Sequence, residues 1–260
     1  MTLSFRQHEI VELARQHGRV VVEDLAERFA VSPQTIRRDL SDLCDAGTLQ
    51  RVHGGAVLGS GVANLGYDAR RVLASAGKEA IGRLCAAAIP DNASLFINIG
   101  TTTEAVARAL AGHRDLMAIT NNLNVANIMA ANPNAEVIVA GGVLRRSDGG
   151  LIGEATTDFI RQFKVDYAII GASALDEEGW LLDFDYREVR VSRAIIENAR
   201  EVCLVADASK FVRSAPVRIA DIGAVTAFFT DRPPPAAFAA RCAELGVRVE
   251  IAEPAAGAAL

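Results

Sequence analysis

From Lys78 onward the chain repeats one phrase, a short continuous apolar run followed by a stretch with helical spacing, and this alternation constrains the fold more than any other feature. The runs are SLFINI (94–99), LMAIT (116–120), EVIVA (136–140), YAIIG (167–171), VCLVA (202–206), AVTAFFT (224–230) and VRVEI (247–251). Between them stand segments such as TEAVARALAG and EVRVSRAIIENAR. Strands apolar on both sides must be covered on both faces, and parallel neighbours need a crossover helix. The spacing therefore predicts an α/β fold on a mostly parallel sheet. At 260 residues, 50% hydrophobic and 23% charged, the chain is long enough for two packed domains and too apolar for disorder.

Residues 1–58 have another texture. Ser4 and Gln7 make a capping-box pattern at the start of a first helix, which puts Ile10, Leu13 and Ala14 on one face and stops at Gly18. A short extended piece leads into a brief second helix with Leu25, Ala26 and Phe29 on a common side. Ser32 as N-cap, Pro33 at the first helical position, the stripe Ile36, Leu40 and Leu43, and Gly47 as terminator define a third. TLQRVHGGAVL then alternates weakly and turns at Gly54 and Gly55, as a two-stranded wing would. Residues 59–75 are rich in Gly and Ala and read as a linker with one ordered segment. A second domain spans 76–252, and 253–260 form a tail.

Opposite the stripe of the third helix, at its N-terminal end, stand Gln34, Thr35, Arg37 and Arg38. A helix seated in the major groove reads base edges with its N-terminal residues, Arg pairing with guanine and Gln with adenine, while Arg, Ser and Thr hold phosphates. Ser32 and the wing residues Arg51 and His53 are placed to add backbone contacts. Arg37 and Arg38 differ by about 100° around the helix, so they cannot both aim at one base edge. A solvated helix face explains the same charges: residues 1–58 hold seven Arg against eight Asp plus Glu, and the chain carries a net −5. Charge alone thus does not establish nucleic-acid binding.

In the second domain, FINIGTTTEAVARAL ends a strand at Gly100 and starts a helix at once with Thr101, Thr102 and Thr103. Free helix N–H groups, hydroxyls and the dipole favour a phosphate there. Other strand ends offer Asn121 and Asn122, Gly141 and Gly142, Gly171 and Ser173, and Asp207 and Lys210. Ligands of open parallel sheets bind outside the carboxyl ends of the strands. Neither G-x-G-x-x-G nor the P-loop pattern is present, so a small phosphorylated molecule fits better than a dinucleotide or ATP. Singly, the threonines can be caps, the asparagines turns and Lys210 surface. Asp183, Asp185 and Glu188, with Arg187, can accept hydrogen bonds from sugar or polyol hydroxyls or act as acid and base; they can equally be a helix-start cluster. The loop 145–156 either closes over a ligand or is an ordinary connection.

VSPQTIRRDLSDLCDAGTLQRVHGGA closely resembles the winged helix-turn-helix signature of the DeoR family of bacterial repressors. The resemblance extends over nearly the whole chain. It implies that the C-terminal half is a sensor domain related in fold to ribose-5-phosphate isomerase and glucosamine-6-phosphate deaminase. SPQTIRRDL, TNNLNVAN, DGGLIGEATTDFI, FDYREVR and RAIIENAR look most like members that govern glycerol 3-phosphate metabolism. That implies a repressor of glycerol genes, bound to double-stranded operator DNA as a dimer or tetramer and released by sn-glycerol 3-phosphate. By the matching motifs, Gly100 to Thr103 and Lys210 would bind phosphate, with Asn121 and Asp183 to Glu188 near the hydroxyls. The competing expectations are a repressor sensing another sugar phosphate, an isomerase-like or deaminase-like enzyme, and an activator or architectural protein.

No catalytic residue, cofactor or metal site is expected. The four cysteines, Cys44, Cys85, Cys203 and Cys242, are widely spaced with no C-x-x-C pair, which suits reduced thiols rather than zinc ligands. The N-terminus lacks an apolar signal core, and the uncharged run 116–135 holds six asparagines that a bilayer would not accept. A cytoplasmic protein is expected.

Overall fold

The computed structural model describes residues 4–17, 19–45, 48–52, 54–58 and 67–253. In the N-terminal part, helix α1 (Phe5–His17) starts with both halves of its capping box: the Gln7 amide donates to Ser4 Oγ at 3.2 Å and the Ser4 amide to Gln7 Oε1 at 3.0 Å. Strand β1 (Arg19–Val21) leads into α2 (Val22–Arg28), and α3 (Pro33–Asp45) follows with Ser32 Oγ accepting the Thr35 amide. Ile10, Ile36, Leu40 and Leu43 meet in one apolar core with Leu25 and Ala56. Across its edge Arg6 of α1 grips the mostly buried Asp39 of α3 at 2.5 Å.

The wing strands β2 (Leu49–Val52) and β3 (Gly55–Leu58) pair antiparallel, and β1 adds on the far side of β3, so the wing sheet has three strands and not two. Its order explains the second glycine of His-Gly-Gly-Ala. A Cβ on Gly55 would lie 1.9 Å from the Val20 carbonyl oxygen.

The larger part carries all seven expected strands in one parallel sheet: β4 (Ser94–Ile97), β5 (Leu116–Thr120), β6 (Ala135–Val139), β9 (Val165–Ile170), β12 (Ala199–Val205), β14 (Ala227–Thr230) and β15 (Arg248–Ile251). Their spatial order is β15-β14-β12-β9-β4-β5-β6, every neighbouring pair parallel. One face packs Ile81, Cys85, Val106 and Leu110 from α5 (Ser75–Ala87) and the α6 region (Thr101–Ala109 and its 3-10 extension). The other packs Val189, Ala194 and Ile195 of α9 (Tyr186–Glu197) and Phe238 of α10 (Ala236–Glu244).

Two smaller units were not expected from the sequence. A hairpin joins β7 (Val143–Arg145) to β8 (Gly150–Ile152), and a short antiparallel sheet orders β10 (Ala174–Leu175), β11 (Trp180–Asp183) and β13 (Val217–Asp221). Within the stretch read as a linker lies a helix, α4 (Tyr67–Val72). Residues 59–66, the tail from 254 and His53 lie outside the described residues. Among the described residues no helix is long and apolar enough to cross a membrane, and no cluster of His, Cys, Asp or Glu is arranged to hold a metal.

Candidate functional sites

The outer face of α3 is polar and exposed at its N-terminal end. Gln34, Arg37 and Arg38 face solvent there and Thr35 is half-buried beside the Ser32 cap. Arg38 has no intramolecular partner among the described residues, whereas Arg37 stands 3.9 Å from Glu23, an exposed and weak pairing. Arg51 of the wing is exposed but not idle: its Nη2 donates to the Arg37 carbonyl at 3.2 Å and to Ser41 Oγ at 2.6 Å. It braces the wing against α3. His53, expected beside it, lies outside the described residues.

The second site is a cavity of about 470 Å³ at the carboxyl ends of β4, β9 and β12, three adjacent central strands. It brings together Gly100, Thr101, Thr102, Thr103, Gly171, Ser173, Asp183, Asp185, Glu188 and Lys210, all singled out from the sequence. Gly100 is the N-cap of α6, so the first-turn amides of that helix have no acceptor within it. Thr103 Oγ1 donates inward to the Asn98 and Gly100 carbonyls, both at 2.7 Å, while the Thr102 hydroxyl takes no partner among the described residues.

One side is cationic: Lys210 and Arg70 line it, and Lys78 and Arg213 are buried close to Lys210. Lys210 sits in the 3-10 turn that follows β12, with Asp207 capping that turn through the Ser209 amide. Burial, and then the Arg213 charge, push the Lys210 ammonium down to about 7. Lys78 is also buried and lowered to about 8, chiefly by desolvation. Arg213 is buried with both terminal nitrogens lacking a hydrogen-bond partner among the described residues. Against these cations burial alone would raise the Asp207 carboxyl, but Lys210 and Lys78 hold it below its ordinary value. The excess of buried cations over Asp207 favours an anion in this corner.

The facing wall is anionic and organised by Arg145. Its guanidinium reaches Asp148 at 2.7 Å, Glu188 at 2.5 Å and Asp185 at 3.3 Å. Burial raises the Glu188 carboxyl to about 8, with the Asp183 charge adding to it and Arg145 opposing. Asp183 accepts the Ser173 hydroxyl at 2.7 Å and the Phe184 amide at 2.6 Å. Asp185 is both things the sequence left open: it caps α9 through the Arg187 amide at 2.9 Å, and it lines the cavity.

Five expected residues are not in the lining: Asp207, which caps the turn that carries Lys210, and four that lie further out. Asn121 and Asn122 follow β5, one strand further out; the Asn121 amide group donates to the Leu151 carbonyl at 3.1 Å, and Asn122 caps α7 (Leu123–Met129). They anchor the β7–β8 hairpin that carries Arg145 and Asp148. Gly141 and Gly142 follow the edge strand β6, where a Cβ on Gly142 would meet Thr156 Oγ1 at 1.9 Å. Their role here is a tight turn into the hairpin. Conversely, Arg145, Ser147 and Asp148 enter the cavity from the loop 145–156, and Tyr67 and Arg70 enter from α4.

Residues 6–61 match the DeoR-like helix-turn-helix domain, and residues 74–232 match the DeoR C terminal sensor domain. Over 230 residues, 88% of this chain and 91% of that protein, the sequence is 52% identical to the glycerol-3-phosphate regulon repressor of Escherichia coli strain K12. It is 48% identical over 234 residues, 90% and 91% of the two chains, to the glycerol-3-phosphate regulon repressor of Haemophilus influenzae. Among solved structures, ribose 5 phosphate isomerase A from Neisseria gonorrhoeae aligns with a TM-score of 0.39 at 14% identity, over 52% of this chain and 53% of that one. That likeness is too slight to bear on activity.

Proposed function

We propose that this chain, which belongs to the DeoR family of helix-turn-helix transcriptional repressors, represses genes of glycerol and glycerol 3-phosphate metabolism and leaves its operator when sn-glycerol 3-phosphate fills the cavity. As a member of a repressor family it is a regulator and not an enzyme, and its partner is operator DNA. The effector reading rests above all on the two-walled charge of the cavity. The phosphate would lie against the first-turn amides of α6, the Thr102 hydroxyl and Lys210. The two hydroxyls of the glycerol would donate to Asp183, Asp185 or Glu188, acceptors held in place by Arg145 and Ser173.

On the DNA side, Gln34, Thr35, Arg37 and Arg38 would enter the major groove, with Ser32, Arg51 and His53 on phosphates. A two-fold oligomer would set two such helices about 34 Å apart along a palindromic operator. Release is a shift of population: the effector favours the form with weaker DNA affinity by its difference in affinity for the two forms.

The test is a thermal-shift and calorimetric panel of sn-glycerol 3-phosphate, glycerol, glucosamine 6-phosphate and ribose 5-phosphate. Selective stabilisation by sn-glycerol 3-phosphate is expected. Preference for another sugar phosphate would keep the regulator and reassign its effector.

A further inference from the structure

Helix α4 lies between the two matched domains, outside both, yet two of its side chains line the cavity. The Tyr67 hydroxyl donates to Glu104 Oε2 at 2.9 Å and accepts from Asn124 Nδ2 at 3.1 Å. Arg70 Nη2 pairs with the buried Asp148 at 3.2 Å. The Arg70 carbonyl accepts from the buried Lys78 ammonium, which also donates to the Leu73 carbonyl at 2.5 Å. The helix is thus fastened to the sensor by polar groups on α5, α6, α7 and the β7–β8 hairpin, of which Asp148 itself lines the cavity.

The charge count around Arg70 is unequal. Arg70 is near enough to Lys78, Lys210 and Arg213 to figure among the charges acting on each of them. Four cations therefore share a corner with the buried carboxylates Asp207 and Glu104, and the third carboxylate, Asp148, is already held by Arg145. An anion entering beside Lys210 meets Arg70 as its nearest cation contributed from outside the sensor fold. A guanidinium can hold Asp148 with one nitrogen and a phosphate oxygen with another.

We propose that Arg70 is a ligand-contacting residue of the cavity, and that an anion bound between Arg70 and Lys210 clamps α4 to the sensor and so converts occupancy into a restraint on the chain leading to the DNA-binding domain. Residues 59–66 alone separate α4 from the wing strand β3. That span reaches about 30 Å at most, so a clamped α4 limits where the wing can go. The inference rests on the reading of this cavity as the effector site. Tyr67 acts here as a positioning residue, bracing α4 on Glu104.

The test uses the full-length protein, its Arg70→Ala, Arg70→Lys and Lys210→Ala variants, and sn-glycerol 3-phosphate with inorganic phosphate as the second probe. Calorimetry should show Arg70→Ala at least tenfold weaker for sn-glycerol 3-phosphate, with Arg70→Lys recovering part of the loss. Hydrogen exchange of the wild-type segment 67–73 should slow when ligand is added. If Arg70→Ala lowers thermal stability, Arg70→Lys and the wild-type exchange decide. Wild-type-like titration by Arg70→Ala, or exchange at 67–73 indifferent to ligand, would overturn the inference while a loss of binding in Lys210→Ala left the cavity reading standing. If the wild type bound neither probe, the cavity reading itself would fail and the inference with it.

Discussion

The two functional regions of this repressor spend their charges in opposite ways. In the DNA-binding domain the core is apolar, with Ile10, Ile36, Leu40 and Leu43 fully buried, and the arginines of α3 stand in solvent on its outer face. In the sensor the charges are inside: Lys210 and Glu188 line the cavity, Lys78 and Asp207 are buried close to Lys210, and all four have pKa values pushed from the ordinary ones. An exposed Arg waiting for a phosphodiester costs the fold nothing and gains when counterions leave. Buried lysines that Asp207 compensates only in part carry a desolvation cost, which a bound anion would offset. The first arrangement gives a surface that is always ready. The second gives one whose energy changes with occupancy, which is what an effector site requires.

That contrast can be broken most sharply at Lys210. Lys210→Ala should weaken sn-glycerol 3-phosphate by roughly 100-fold, as expected for losing a charge-assisted contact. It should leave operator affinity intact and thermal stability equal or higher, because a buried cation with a depressed pKa is removed. A large drop in stability would contradict the strained-site picture. Next in size is Arg38→Ala, which should cost on the order of 1–3 kcal/mol of operator binding in gel shift, with effector titration unchanged. Arg37→Ala should act likewise, and comparison across operator base changes tells which arginine reads a base.

Asp39→Ala sharpens the comparison from the other side. It removes the acceptor of Arg6, so the DNA-binding domain should lose roughly 1–2 kcal/mol in chemical denaturation while the sensor's effector affinity stays fixed. The smallest effect is on pH. Burial holds the Lys210 ammonium near 7 and a bound phosphate would raise it, so binding should take up a proton above that pH. Affinity should fall as pH rises above 7, by at most about tenfold per unit for one proton. Below about 6 the phosphate itself loses its second charge, so affinity should peak between the two. A flat profile from pH 7 to 9 would remove Lys210 from the phosphate contact.

How much of this was legible in the sequence follows the same division. Each of the seven strands is a local apolar run, and the cap of α3, its stripe and its polar face all lie within Ser32 to Leu43. Such features are read from neighbours in sequence. The cavity depends on which strands are neighbours in space, and residue order does not state that β12, β9 and β4 lie side by side. Hence the ends of β4, β9 and β12, grouped from the sequence, do meet at one cavity, while Asn121, Asn122, Gly141 and Gly142, at the ends of β5 and β6, lie outside its lining beside the hairpin. Tyr67 and Arg70 escaped notice because α4 has six residues and no apolar period of its own. The small antiparallel sheet was missed for a similar reason, its strands being two to five residues long. Arg145 and Asp148 left one usable trace, an opposite-charge pair three residues apart in a glycine-rich loop.

The central claim is that one metabolite and one DNA site compete through this molecule. The most direct measurement is calorimetry of sn-glycerol 3-phosphate binding, alone and with a saturating duplex selected by the protein from a random-sequence library, set beside the duplex's affinity with and without the metabolite. Linkage predicts that DNA weakens metabolite binding by the same factor that the metabolite weakens DNA binding. Equal metabolite affinity with and without DNA would contradict the account, however tightly each ligand bound.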